Sequence, residues 1–315
     1  MKKFNTKPPS GTRDFLPREI KTREKIFGTI KRVFESFGFL PIDTPAFERI
    51  ENLTGKYGDE GEKLIFKILK RGEQAVSGEA DLALRYDLTV PLARFFAEYQ
   101  DQLPRIFRRY QIGPVWRADR PGKGRFREFY QCDIDIVGST SLLADAEVIL
   151  VLTETLSRLG FSGYKVCLNS RKVLAGFLEV CGVRDDESRD VLVALDKLDK
   201  IGIAGVVKQL KDRGLSTKVI DRLSIDLPRP NAELRKQIEV SSIGKEGLTE
   251  VDEISSLVTP LLKSGEIEFS PFLARGLDYY TGPIFEIYLE GATGAIASGG
   301  RYDNLTGLFD NEKVP

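Results

Sequence analysis

The fold is decided by residues 107–135, which read FRRYQIGPVWRADRPGKGRFREFYQCDID. Their pattern predicts two strands that flank a basic loop containing glycines. Such a loop offers arginine forks for phosphate oxygens, glycines for close backbone approach, and Phe126 or Phe129 as a face for a purine ring. The stretch therefore indicates a nucleotide site, although a basic surface hairpin with salt-bridged arginines has the same composition.

Helical and extended segments are predicted on either side of this stretch. Apolar residues recur at helical spacing over 18–37, and Gly38 follows as a candidate C-cap. Residues 39–45 predict an extended segment, because each proline restricts the residue before it to β or polyproline conformations. The further predicted elements are strands over 82–84 and 106–115 and a helix over 144–159.

The character of the chain changes at about residue 170. Segments rich in Lys, Asp and Leu over 170–264 predict helices with many exposed charges, and we interpret them as an inserted helical domain. The two parts of the core would then be 1–169 and 265–315. Apolar and aromatic runs return over 266–271 and 284–289, while 298–300 predicts a break in the chain. Strands that return after a helical interruption predict an α+β fold with one antiparallel sheet split by the insertion.

Composition excludes several kinds of site. The chain contains no histidine, which excludes Ser-His-Asp and Cys-His nucleophile activation and any histidine-ligated metal. Cys132, Cys167 and Cys181 form no C-x-x-C pair, so we predict buried reduced thiols rather than a zinc site or a disulfide framework. Lys+Arg and Asp+Glu both number 47, so any binding of nucleic acid must use local patches.

The first six residues are basic and polar, without the apolar centre of a signal peptide. No apolar run approaches the roughly 18 residues that a membrane helix needs. We therefore expect a soluble, cytoplasmic protein without a membrane segment.

The order of residues resembles a known family. Arg117-Ala118-Asp119 is similar to the R-x-[ED] of motif two in class II aminoacyl-tRNA synthetases. The histidyl branch of that class resembles this chain at LRYDLT (84–89), RGLDYYTG (275–282) and GGRYD (299–303). Its opening and its dimer-forming motif one resemble PSGTRD (9–14) and Thr44-Pro45. The resemblance covers nearly the whole chain, and it implies a class II antiparallel sheet flanked by helices.

The resemblance implies that Arg117 and Arg275 are the catalytic residues, both at the α-phosphate of ATP, with Arg275 also at the histidine carboxylate. Adenylate formation aligns two anions and neutralises charge on phosphorus, so it requires no general base. Arginine suits this task because its planar fork stays charged. Mg²⁺ would share the phosphate charge.

The binding residues are also implied by the resemblance. Further contacts to ATP are expected from Asp119, Arg125 and Phe129. The expected histidine pocket consists of Asp87, Thr89, Arg117, Gln131, Asp135, Arg275, Tyr279, Tyr280 and Tyr302. Asp87 would face the ammonium, while Asp135 and Tyr280 would select the imidazole. From the residues alone, the two adjacent tyrosines also fit core aromatics, and Asp135 fits an ion pair with a nearby arginine.

The implied partners are L-histidine, ATP, tRNA(His) and a second copy of the chain, with the helical domain at the acceptor stem. The chain ends where the family continues into motif three and an anticodon-binding domain, so we expect impaired activation of histidine. A competing interpretation is a non-catalytic histidine sensor, such as the regulatory subunit of ATP phosphoribosyltransferase. The intact Arg275 favours the synthetase, because those regulatory chains typically lose it.

Overall fold

The computed structural model describes residues 4–55, 57, 61–274, 279–309 and 313–315. It forms two compact units, Met1–Ser139 with Asn304–Pro315, and Thr140–Asp303. Its helices are α1 (Pro17–Ser36), α2 (Ile50–Leu53), α3 (Thr89–Tyr99), α4 (Leu142–Arg158), α5 (Arg171–Val180), α6 (Asp185–Leu195), α7 (Leu198–Asp212), α8 (Thr217–Asp226), α9 (Asn231–Ile238) and α10 (Ser242–Val258). Its strands are β1 (Leu40–Pro41), β2 (Phe47–Arg49), β3 (Lys67–Leu69), β4 (Ala80–Leu84), β5 (Phe107–Trp116), β6 (Glu128–Val137), β7 (Lys165–Ser170), β8 (Glu266–Phe269), β9 (Pro283–Tyr288) and β10 (Ala297–Gly300).

Helix α1 confirms the prediction for 18–37 to within one residue at each end. Pro17 occupies the first turn, where its missing N–H costs nothing, and the Glu19 carboxylate accepts a hydrogen bond from the Leu16 amide at 2.8 Å. Gly38 ends the helix with a φ of 80°, a conformation that other residues rarely adopt. The helix buries Ile30, Val33 and Phe34, the apolar face that the spacing predicted.

The first unit is built on the long β5–β6 hairpin. These strands pair antiparallel over ten residues each, and β1 adds to β5 in parallel. A second sheet has the order β2-β4-β3. The buried Arg85, just after β4, donates hydrogen bonds to the carbonyls of Thr44 and Pro114, the latter at 2.9 Å. It thereby ties the segment that leads into α3 to strand β5.

The second unit has a four-stranded sheet in the order β10-β9-β7-β8, in which β7 and β8 are parallel. Helices over 171–258 confirm the predicted helical segment. They share one core with the sheet, and α5 packs so closely on α10 that a Cβ at Gly176 would collide with the Gly244 backbone. Large buried members of this core include Ile149, Leu168, Val173, Phe177, Ile254 and Ile287.

The α+β class is confirmed, and two details differ from expectation. The described strands pair within three sheets instead of one antiparallel sheet, and two pairings are parallel. The predicted break at 298–300 is wrong, because these residues form β10. The division into 1–169, 170–264 and 265–315 stays a prediction. Among the described residues, no helix is long and apolar enough to cross a membrane.

Candidate active site

Strand β6 presents a polar face in the first unit. Because side chains alternate along a strand, Gln131, Asp133 and Asp135 lie on one face. Their cross-strand partners on β5 are Gly113, Gln111 and Arg109, in that order. A fully buried guanidinium, that of Arg109, lies 2.5 Å from the Asp135 carboxylate and donates to the Leu88 carbonyl at 3.3 Å. This ion pair fixes the side chain of Asp135, the last of the three polar residues on this face.

Asp87 lies between β4 and α3 and is buried. Its Oδ1 atom accepts hydrogen bonds from the Tyr57 hydroxyl at 3.0 Å and from the Val90 amide at 3.1 Å. The second bond caps the first turn of α3, which Thr89 begins. Asp87 Oδ2 is buried without a hydrogen-bond partner among the described residues. One oxygen of this carboxylate is thus fixed, and the other can accept a donor from a ligand.

Arg117 follows β5, and two aromatic rings hold it in place. Its guanidinium carbon lies 4.4 Å from the Tyr86 ring centroid and 5.2 Å from that of Phe129. Its Nε donates to the Tyr86 carbonyl at 3.2 Å. These contacts orient the guanidinium without neutralising it, so its charge is available to an anion.

The basic loop after Arg117 is held by contacts with the amino-terminal segment. Asp119 is buried and accepts a hydrogen bond from the largely exposed Arg125 at 2.8 Å. The Arg127 amide donates to the Gly11 carbonyl at 2.7 Å. A Cβ at position 11 would lie 2.7 Å from the Arg127 side chain, so only glycine permits this approach. The segment PSGTRD therefore packs on the loop that resembles motif two.

Electrostatics single out one further carboxylate in this unit. Burial raises the pKa of Asp133 to about 7, with a contribution from Asp135 and Asp87 that Arg109 and Arg117 oppose. Burial also raises the pKa of Asp87, while its two hydrogen bonds and the same two arginines lower it. Three carboxylates therefore share two guanidinium groups, an arrangement suited to a ligand that brings a positive charge.

In the second unit, three tyrosines form an aromatic group. The ring centroid of Tyr279 lies 5.0 Å from that of Tyr280 and 5.9 Å from that of Tyr302. Both rings meet Tyr279 edge to face, an arrangement that aromatic pairs favour. Arg301 pairs with Asp145 and so supports the strand end that carries Tyr302. Arg275, the second predicted catalytic residue, lies outside the described residues.

The described part of the chain includes all but one of the predicted site residues, divided between the two units. In the first unit these are Asp87, Thr89, Arg117, Asp119, Arg125, Phe129, Gln131 and Asp135, and in the second they are Tyr279, Tyr280 and Tyr302. Sequence reasoning missed Arg109, Asp133 and Tyr57. Asp133 could have been found from its spacing of two from Gln131 and from Asp135, whereas no local signal marks Tyr57.

Comparisons with known proteins identify the family of this chain. A family model described as histidyl-tRNA synthetase matches residues 11–314. The chain belongs to the histidyl-tRNA synthetase family. A histidine–tRNA ligase from Christiangramia forsetii is 44% identical over 96% of this chain and 71% of its own length. One from Bacteroides fragilis is 45% identical over the same shares.

Solved structures agree with membership of the histidyl-tRNA synthetase family. The histidyl-tRNA synthetase from Nostoc sp. PCC 7120 superposes with a TM-score of 0.83 at 33% identity, over 99% of this chain and 72% of that one. A Bacillus halodurans protein described as an ATP phosphoribosyltransferase regulatory subunit/histidyl-tRNA synthetase gives 0.81 at 26% identity, over 99% and 80%. The synthetase match is therefore the better of the two in both identity and superposition.

Proposed function

We propose that this chain is the catalytic core of a histidine–tRNA ligase, which activates L-histidine with ATP and transfers it to tRNA(His). The observation that carries the proposal is Arg117, held by two aromatic rings in the same unit as a face of partly buried carboxylates. Such an arrangement offers one charged fork to anions and several acceptors to a cationic, nitrogen-rich amino acid.

Activation joins a histidine carboxylate oxygen to the α-phosphorus of ATP and releases pyrophosphate. Arg117 would bind the α-phosphate and orient the carboxylate, with Arg275 as its proposed counterpart. Negative charge grows on the phosphoryl oxygens during this attack, and a fixed guanidinium stabilises it most when it needs no rearrangement. Every step of this chemistry is available to a chain without histidine.

Selection of histidine would use acceptors that match its nitrogens. Asp87 would accept the ammonium, with Thr89 and Gln131 as further binding residues, and Asp135 would face the imidazole. From the family resemblance we also propose Tyr279, Tyr280 and Tyr302 as histidine-binding residues. An apolar amino acid would leave these buried polar groups unpaired, which is how such pockets achieve large discrimination.

ATP would bind at the basic loop, with its adenine on Phe129 and its phosphates near Arg125. The contact of Arg125 with Asp119 must then open or be shared. Among the described residues, no cluster of His, Cys, Asp or Glu could hold a metal ion. We propose that Mg²⁺ enters as part of the Mg·ATP substrate, because its preferred oxygen ligands include the phosphates.

The remaining assignments follow from the family. We propose a cytoplasmic homodimer, with tRNA(His) as the second substrate and the helical segment 170–264, inserted between the core parts 1–169 and 265–315, at the acceptor stem. The charges within that segment alternate in sign, as in Arg222 and Arg229 on either side of Asp226. RNA binding there would use a local patch rather than a net field.

Histidine-dependent exchange of pyrophosphate into ATP tests the function. We expect exchange by this chain, and faster exchange when it is lengthened by the carboxyl-terminal part of a longer relative. The substitution Arg117→Lys keeps the charge but removes the planar fork, so we expect a loss of roughly 100-fold or more in rate. The control is Arg105→Lys, because Arg105 is exposed and precedes β5.

The competing function predicts a different pattern. A histidine-sensing regulatory chain would bind histidine but exchange no pyrophosphate, even when lengthened. That result, or an Arg117→Lys variant as active as its control, would overturn the proposed ligase.

A further inference from the structure

Tyr57 contacts two residues of the first unit, Asp87 and Tyr86, that lie next to the candidate site residues in sequence or belong to them. It is only 3% exposed, although it belongs to neither a helix nor a strand. Its hydroxyl donates to Asp87 Oδ1 at 3.0 Å, the same atom that the Val90 amide binds. Two donors on one oxygen fix the plane of a carboxylate, so Oδ2 is aimed in one direction.

The ring of Tyr57 makes a second connection. Its centroid lies 4.4 Å from that of Tyr86, and the other ring contact of Tyr86 is the guanidinium of Arg117, also at 4.4 Å. Tyr57, Tyr86 and Arg117 are therefore linked in that order by direct contacts, with the two rings tilted by 38°. One tyrosine thus touches a carboxylate through its hydroxyl and supports a guanidinium through its ring.

We infer that Tyr57 is a positioning residue for both charged ends of the bound amino acid. Its hydroxyl orients Asp87 toward the α-ammonium, and its ring holds Arg117, through Tyr86, at the carboxylate. This inference rests on the proposed function, because it takes Asp87 and Arg117 as the groups that bind those two ends. Tyr57 would act on the ligand only through Asp87 and Tyr86.

The Tyr57 hydroxyl should have a measurable effect on the pKa of Asp87. Burial raises the pKa of Asp87, and the hydrogen bond from Tyr57 is one of the contacts that lower it. The other charged groups that face it are Arg109 on β5, Arg117 directly after β5, and Asp133 on β6. Burial and the nearby carboxylate raise the pKa of Tyr57 itself, so the phenol remains a donor at neutral pH.

Two substitutions separate the hydroxyl from the ring. Tyr57→Phe removes the donor and keeps the ring contact with Tyr86, whereas Tyr57→Leu removes both. Tyr110→Phe is a matched control, because the Tyr110 hydroxyl also donates to a carboxylate, that of Glu35, at 2.7 Å. Calorimetry would measure the binding of L-histidine and of 3-(imidazol-4-yl)propionate, which keeps the ring and carboxylate but lacks the ammonium.

We expect Tyr57→Phe to weaken histidine binding about tenfold and binding of the deaminated ligand less than about twofold. Tyr57→Leu should weaken both ligands, because Arg117 loses its support. Tyr110→Phe should change neither. The selective loss for the ligand with an ammonium is a coupling that general destabilisation does not produce.

A pH profile supplies the second readout. Histidine affinity falls as Asp87 becomes protonated, so it should fall at a higher pH in Tyr57→Phe than in the wild type. Both Asp133 and the imidazole titrate nearby, and both are common to the two proteins, so the difference between the profiles reports Asp87.

The outcomes are distinct. Equal losses for both ligands in Tyr57→Phe would give Tyr57 a merely structural role, and no loss for either would also overturn the inference. A wild-type protein that binds neither ligand would overturn the proposed function and the inference with it. If the wild type binds both ligands but Tyr57→Phe keeps histidine affinity and its pH profile, only the inference fails.

Discussion

Among individual residues, Asp133 has the most unusual environment in the candidate site. Two neighbours of Asp133, Asp135 on the same strand and Gln111 across the hairpin, have partners of their own. Asp135 is paired with Arg109, whereas the side-chain amide of Gln111, directly across the hairpin, donates to Asp43 and Thr44. Asp133 is thus left beside other carboxylates in a partly buried position, and its pKa is raised to about 7. Its ionisation must therefore weaken the folded state.

The sign of that effect gives a prediction for Asp133→Asn. An unfolded aspartate has a pKa of about 3.9. The folded state holds its proton up to about pH 7, so the contribution of Asp133 to stability is lost as pH rises from about 4 to 7 and changes no further above that range. The variant lacks this loss, so it should gain roughly 1–3 kcal/mol over the wild type at pH 8 and little at pH 4.

Urea unfolding at several pH values measures the gain. Glu128→Gln is the control, because Glu128 is exposed and lies on the opposite face of the same strand. A gain for Asp133→Asn that is the same at pH 4 and pH 8 would contradict the prediction.

At the scale of elements, strand β10 shows what close packing requires. A Cβ at Gly300 would lie 2.7 Å from the Ile284 side chain and 2.8 Å from the Tyr280 ring. A Cβ at Gly299 would lie 2.8 Å from the Phe285 ring. The two glycines therefore let β10 approach β9 and the aromatic group, and they do not form a turn.

Gly300→Ala should consequently destabilise the protein by about 1–3 kcal/mol, because both the backbone of β9 and a ring would have to move. Thermal unfolding would show this as a lower Tm. In contrast, Gly294→Ala should be nearly neutral, since its added Cβ meets no atom within 4 Å. Similar Tm values for the two variants would refute the account of β10.

The same strand explains which parts of the fold could be predicted from sequence. Helix α1 and strand β5 follow from local spacing and from Pro and Gly signals, and both were predicted within about one residue. Gly299 and Gly300 carry the local signal of a turn. Their conformation is nevertheless decided by pairing with β9, which lies on the other side of the loop that joins the two strands. Packing between strands overrode local propensity.

The site divides in the same way. Arg117 and Gln131 are predicted because the ordered motifs resemble a family, and in the structure Arg117 directly follows β5 while Gln131 lies within β6. The sequence pattern assigns no role to Arg109, because its pairing with Asp135 depends on the register of the hairpin. Tyr57 acts through a contact that spans 30 residues, which no spacing rule describes.

For the whole molecule, the absence of histidine simplifies its titration. Few groups other than Asp133 should exchange protons between pH 6 and 8. Potentiometric titration of the wild type and Asp133→Asn should therefore differ by close to one proton, about 0.8, across this range. A difference that is centred below pH 5 would show that burial does not raise the pKa of Asp133.

A histidine bound at the polar face of β6 would lie in a protein that has no imidazole of its own. The bound histidine would therefore contribute the complex's entire set of imidazole signals to a proton magnetic resonance spectrum. No imidazole signal from the protein would have to be told apart from those of the substrate. The tautomer chosen beside Asp133 and Asp135, and its change with pH, can thus be observed directly from the substrate side.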